Sequence, residues 1–263
     1  MAKARPGRFV TFEGGDGVGK TTQTRRLAKR IRDEFGQDAM VTNEPGGSLI
    51  GNGIRALLVS RSAAGKDMDE RFIVFDALLQ HFESGELKDD AFTAYHALLL
   101  APGNVRSSTT EALLHFAARS EHWEFALKPM LDKGRWVICD RFTDSTMAYQ
   151  GYGGGQKGPA IGRERIELMA KAAIPGVAPN LTFVLDLDPA VGLARAATRK
   201  GEASSYELLT LDYHRRVRDG FLDIAKRDPK RCRVIDASQG EDAVADAIWR
   251  EIQAYLAREP QPA

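Results

Sequence analysis

Residues 14–21 read Gly-Gly-Asp-Gly-Val-Gly-Lys-Thr, the spacing G-x-x-x-x-G-K-[ST]. Glycines at this density let backbone N–H groups curl around an anion, and the helix N-terminus that follows favours negative charge. Lys20 then reaches the β and γ phosphates, and Thr21 offers its hydroxyl to Mg²⁺. Gly14, Gly15, Asp16, Gly17, Val18, Gly19, Lys20, Thr21 and Thr22 are therefore the candidate site for a nucleoside triphosphate. Such a loop works only between a strand and a helix. Phe9, Val10 and Phe12 supply the strand; Leu27, Ala28, Ile31 and Phe35 recur at helical spacing behind the loop, and Gly36 can close that helix in a left-handed conformation.

The remaining elements alternate in the way a parallel sheet covered on both faces requires. Further strands are expected at Ala39 to Asn43, Trp136 to Asp140, Leu181 to Leu187 and Arg233 to Ala237. Helices are expected at Ser48 to Val59, Glu111 to Leu131, Gly162 to Ala172, Ala190 to Arg199, Tyr206 to Lys226 and Asp242 to Ala257. In the last of these, Val244, Ile248, Ile252 and Leu256 form a stripe that reads as core. Ser108-Thr109-Thr110-Glu111 matches a capping box, following the breaker Pro102-Gly103-Asn104. The expected fold is α/β, with a five-stranded parallel sheet of the P-loop NTPase type. It forms a single domain over residues 1–263, with a helical insertion at 63–104 and a lid at 195–207.

A net charge of +1 over 263 residues gives no global case for a nucleic acid polymer or a membrane as partner. No apolar run approaches the roughly 20 residues that span a bilayer. Cys139 and Cys232 both sit in apolar strands, which favours buried thiols in a reducing, cytoplasmic setting; a bridge between them is the alternative.

Four further segments carry candidate chemistry: Thr42-Asn43-Glu44-Pro45-Gly46-Gly47 with Arg55 beyond it; His115 to Arg119; Asp140 to Gly151; and the basic stretch Arg195 to Lys200, running into Tyr206 and Glu207. Asp140 ends an apolar strand, so its carboxylate belongs at the carboxyl edge of the sheet beside Thr21, where the pair could hold Mg²⁺. With the P-loop, these segments resemble the thymidylate kinase family: T-R-E-P-G-G, an F-x-x-x-R helix and D-R-[YFH]-x-x-S-x-x-A-Y-Q-G occur in order over most of the chain.

The resemblance implies transfer of the ATP γ-phosphoryl group to dTMP by a dimeric enzyme. It implies that Arg55 and Arg141 hold the acceptor phosphate, Arg119 and Thr146 the base, and Asp16 the deoxyribose 3′-hydroxyl and metal waters, while Tyr149 excludes a ribose hydroxyl. Glu44, Pro45, Ser145, Gln150 and Tyr206 complete the substrate set. One branch of the family has arginine after the P-loop carboxylate. Gly17 stands there in this chain, so the transition-state cation falls to Arg195, Arg199 or Lys200, with Arg199 the first choice.

The chain also departs from the pattern. Asn43 replaces an arginine, Ser48-Leu49 replaces Thr-Pro, Ser204-Ser205 replaces an acidic and basic pair, and His115 stands where the family has the phenylalanine that stacks on thymine. Either His115 stacks instead, with a possible charge near neutral pH, or Phe116 substitutes through a shift of the helix. The insertion could pack on its own domain, cover the nucleotide or extend a subunit interface. Two other functional readings stay open: a deoxynucleotide kinase with altered base preference, and a nucleotide-binding regulatory protein without turnover.

Overall fold

A computed structural model describes residues 7–59, 106–155, 158–199 and 204–258. The expected insertion at 63–104 and Lys200 lie outside these. Five parallel strands, β1 (Arg8–Glu13), β2 (Ala39–Asn43), β3 (Trp136–Asp140), β4 (Leu181–Asp186) and β5 (Cys232–Asp236), form one sheet in the order β2-β3-β1-β4-β5. The helices are α1 (Lys20–Phe35), α2 (Leu49–Val59), α3 (Ser108–His122), α4 (Lys128–Asp132), α5 (Thr143–Thr146), α6 (Arg163–Ala173), α7 (Pro189–Ala197), α8 (Leu211–Arg227) and α9 (Glu241–Arg258). Chain order reverses about β1, which sits between β3 and β4, so the crevice beyond the carboxyl end of β1 is the topological switch point where ligands bind in such sheets.

Strand residues alternate between two apolar faces. Val10, Phe12, Ile138, Phe183 and Leu185 pack with Leu27 and Ile31 of α1 and with Val244, Ile248 and Ile252 of α9. On the other face, Phe9, Val137 and Cys139 meet Phe142 and Leu127, while Val184 and Cys232 meet Tyr213, Val217 and Phe221 of α8. Each fully buried Ile or Leu contributes about 1.5–3 kcal/mol of transfer free energy. This two-sided burial explains why the central strands β1, β3 and β4 are mostly apolar, whereas the edge strands β2 and β5 are half-exposed.

Helix boundaries follow local chemistry. Gly36 closes α1 at φ 64°, donating its N–H to Arg32 O at 2.9 Å. Asp188 caps α7 by accepting from Ala190 N, with Pro189 at the first helical position. The capping box is corrected: Ser107, one residue earlier, caps α3 by accepting from Thr110 N. Ser108 turns inward to the carbonyls of Gly154 and Pro159, and Glu111 is buried in the site described below. α3 continues through a π-helical stretch, Trp123–Leu127, into α4, and α5 continues likewise through Met147–Gly153. That second segment has no strong apolar periodicity, and its helical character was not expected from sequence. Both cysteines are buried free thiols, not a disulfide. Among the described residues, no helix is long and apolar enough to cross a membrane.

Candidate active site

A cavity of about 1150 Å³ opens at the carboxyl edge of the sheet. One end is walled by residues 16–25 of the loop and α1, the other by Thr42 to Pro45, His115, Thr146 and Gln150, with Asp140, Arg141 and Tyr149 between them. The volume exceeds the roughly 300–1000 Å³ of a single-ligand pocket. Arg195, Arg199, Tyr206 and Glu207 line the remaining side, facing Ala237 and Gln239 of the loop after β5.

The loop is a left-handed turn in part, with φ 130°, 72° and 95° at Gly14, Gly17 and Gly19. Lys20 folds back over it, its Nζ donating to Gly15 O at 2.5 Å and Gly14 O at 3.1 Å. Burial, reinforced by the nearby Arg141 cation, pulls the Lys20 pKa down to about 8. Gly14 and Gly15 thus hold the lysine from behind and do not line the large cavity. At Gly17 a methyl group would collide with the carbonyl of Gly192 on α7, and one on Gly192 would collide with the carbonyl of Asp16. The missing cation at position 17 therefore reflects a backbone-to-backbone contact that leaves no room for any side chain.

Thr21 donates from Oγ1 to Asp140 Oδ2 at 2.7 Å, joining loop and β3. These are hard oxygen donors on the cavity wall, the kind Mg²⁺ takes when most of its other ligands are water and phosphate. Beside them, Asp16 accepts from Arg141 Nη2 at 2.7 Å through Oδ1 and from the Tyr149 hydroxyl at 3.0 Å through Oδ2. Arg141 also donates to Gly14 O and Ser145 Oγ, and its guanidinium lies 4.8 Å from the centre of the Tyr149 ring. Burial alone would raise the Asp16 carboxyl, but Arg141 and Lys20 outweigh it and hold it below its ordinary value. Burial pushes the Tyr149 hydroxyl up, so it remains protonated and donates.

At the far end Arg119 is buried, with Nε on Glu44 Oε2 at 2.6 Å and Nη2 on Phe142 O and Thr146 Oγ1 at 2.9 and 3.1 Å. Of its nitrogens, Nη1 has no acceptor among the described residues. Glu44 also binds His122 Nδ1 at 3.0 Å, and His122 Nε2 meets Thr42 Oγ1 at 2.9 Å. Phe116 packs in the core under the Arg119 guanidinium, so it does not substitute for His115. His115 lines the cavity, its Nε2 3.4 Å from the Tyr206 hydroxyl. Burial, with Arg119 and Arg141 nearby, lowers its pKa to about 3, so the imidazole is uncharged near neutral pH. Tyr206 donates to Glu111 Oε2 and accepts from Gln150 Nε2, at 3.0 and 3.1 Å.

Arg55 and the two described lid cations, Arg195 and Arg199, are less engaged. Arg55 lines the cavity and donates to Pro45 O at 2.9 Å; Arg195 donates to Ala237 O at 3.2 Å. Arg199 pairs with Glu207 at 2.7 Å, its side chain 59% exposed. Sequence reasoning missed Glu13, Glu111 and His122. All three are fully buried, and the signal for Glu13 is a carboxylate that ends the strand carrying Phe9, Val10 and Phe12, immediately before the loop.

The family model for thymidylate kinase matches residues 12–88 and 94–248. Thymidylate kinase of Magnetococcus marinus is 38% identical over 247 residues, covering 94% of this chain and 96% of the relative. That of Caulobacter vibrioides is 41% identical over 242 residues, covering 92% and 94%. The crystal structure of thymidylate kinase from Ehrlichia chaffeensis is similar at a TM-score of 0.61 and 31% identity, over 94% of this chain and 99% of that one.

Proposed function

Because the chain belongs to the thymidylate kinase family, we propose that its cavity brings the two nucleotides of that reaction together in line, triphosphate on Lys20 and monophosphate on Arg141. The protein is an ATP-dependent dTMP kinase with a P-loop NTPase fold. It transfers the γ-phosphoryl group to dTMP and yields dTDP. The observation that supports the residue roles best is the Asp16–Arg141–Tyr149 cluster, which ties the loop to the segment after β3 on the wall of one cavity.

The acceptor phosphate is already anionic, so the enzyme supplies alignment and charge neutralisation more than proton transfer. Arg141 and Arg55 grip that phosphate. Asp16 accepts the 3′-hydroxyl, and the Tyr149 ring fills the space a ribose 2′-hydroxyl would need. Arg119 offers its spare Nη1 to the thymine edge, while His115, as a neutral imidazole, stacks on the base. On the donor side the backbone of residues 14–19 cradles the triphosphate, and Lys20 exchanges the carbonyls of Gly14 and Gly15 for phosphate oxygens. Thr21 and Asp140 would hold Mg²⁺, which when bound neutralises charge on the phosphate oxygens. Arg199 leaves Glu207 to reach the γ-phosphate as the lid over residues 195–207 closes, with Arg195 and Lys200 flanking it.

The chain forms one kinase domain that carries this lid. A homodimer is supported by the exposed Leu113 and Phe125 on and just after α3 and by Leu168 on α6. A cytoplasmic location is supported by the two buried free thiols. ADP release measured with dTMP, dUMP, dCMP, dGMP and AMP tests the reading. dTMP turns over fastest; no turnover with any pyrimidine deoxynucleotide overturns it. His115 in the base pocket favours one second reading, a shifted base preference, and faster turnover of dUMP or dCMP is its signature.

A further inference from the structure

Behind the groups that hold the Arg141 guanidinium directly stands a carboxylate that does not line the cavity. Glu13, the last residue of β1, is fully buried. Its Oε1 accepts the backbone N–H of Phe142 at 2.8 Å, and its Oε2 accepts from Ser145 Oγ at 2.5 Å. Those two donors bracket Arg141. Phe142 follows it directly, and Ser145 Oγ in turn accepts from Arg141 Nη1 at 3.2 Å. Between them the Arg141 backbone takes φ 72°, a left-handed conformation unfavourable for any residue with a Cβ. A further bond, from Arg141 N to Phe12 O at 2.9 Å, keeps the same turn against β1.

A carboxylate is a poor choice for packing alone. Among the described residues no ion pair involves Glu13, so its charge is desolvated for two hydrogen bonds, and such groups persist where function uses them. Its surroundings contain charges of both signs: Asp144 on α5, itself paired with Arg231 at 2.5 Å, disfavours ionisation, whereas Arg141 favours it. Lys20 on α1 also feels Glu13, as do the thiols Cys139 and Cys232 on β3 and β5. Burial, aided by Asp144 and opposed by Ser145, Arg141 and Phe142, moves the Glu13 pKa up to about 7.

We infer that Glu13 is a positioning residue for the acceptor: it holds the strained turn and the Ser145 hydroxyl that together aim the Arg141 guanidinium at the phosphate of dTMP. The inference rests on the reading of Arg141 as the acceptor-phosphate ligand, and the experiment separates the two. KM for dTMP, KM for ATP, kcat and thermal unfolding are measured for the wild type, Arg141→Ala, Glu13→Gln and Ser145→Ala. Glu13→Gln keeps an acceptor for Phe142 but puts a donor where Ser145 needs an acceptor. Its KM for dTMP rises about tenfold, KM for ATP stays within about twofold, and Tm at pH 8 does not fall. Ser145→Ala, which retains the charge and removes the bridge together with a hydroxyl on the cavity wall, raises KM for dTMP about threefold; if Glu13→Gln does not fold, Glu13→Asp, which keeps the charge but draws both oxygens back by one methylene, decides the question by the same rise in KM for dTMP.

A wild-type KM for dTMP in Glu13→Gln, or a joint rise of both KM values with a lowered Tm, overturns the positioning role. If Arg141→Ala leaves KM for dTMP unchanged, the reading of Arg141 falls, and the positioning inference falls with it. If Arg141→Ala raises that KM and neither Glu13→Gln nor Ser145→Ala does, the positioning inference alone is lost.

Discussion

The two groups of arginines in this site are built in opposite ways. Arg119 and Arg141, beside the acceptor pocket, are each held by several partners on strand ends and helices, and the Arg119 side chain is only 2% exposed. Arg199, on the lid side, has one ion pair with Glu207 and is 59% exposed. The difference shows where rigidity is useful. Recognition of a small acceptor needs donors already in place before binding, whereas the group that stabilises the transition state must move in after both nucleotides have entered. A buried guanidinium with most of its donors already engaged gives precision; an exposed ion pair is weak enough to exchange for phosphate.

That contrast can be broken by substitution. The largest effect belongs to Arg199→Ala: kcat drops about 10³-fold, at the low end for an arginine finger, while Tm is unchanged because only a surface pair is lost. A comparable kcat with wild-type lid chemistry would reassign the cation to Arg195 or Lys200. Arg119→Ala has the reverse signature. It leaves Glu44 buried without its charge partner and destabilises the fold by about 3–5 kcal/mol, readable in urea denaturation.

Glu13→Gln sharpens the acceptor side through pH. The folded pKa of Glu13 is near 7 against an ordinary 4.5, so the folded state keeps a proton that the unfolded chain releases between those values. The stability this group contributes is therefore present below pH 4.5 and lost as pH rises through 7. A neutral glutamine removes that slope, and at pH 8 the variant is more stable than the wild type by on the order of 2–3 kcal/mol, readable as a higher Tm. The smallest effect is at the base. With a pKa of about 3, His115 is uncharged from pH 5 to 8, so His115→Phe shifts KM for dTMP by about twofold and leaves the shape of its pH profile alone, as steady-state kinetics across that range can check.

Much of this was legible in the sequence where one residue type has one physical use. All five strands and the left-handed Gly36 follow from apolar runs, period and turn residues. Pairings between distant segments were not legible. That Glu44 joins Arg119 to His122, or that Glu111 leaves the first turn of α3 to meet Gln150 and Tyr206, depends on how the helices cross the sheet edge. The π-helical run at Met147–Gly153 hid for a related reason: its residues are chosen for the cavity and for close packing, so no amphipathic repeat remains to read.

The contact between Gly17 and Gly192 has a consequence for how such an enzyme can change. A cation could be installed at position 17 only if α7 moved away from the loop, and α7 carries Arg195 and leads directly into Arg199. The two locations for a catalytic cation thus compete for the same space. A stepwise route from one to the other passes through chains in which the old arm has been displaced before the new one can work, so the exchange requires coordinated change at both ends of the contact.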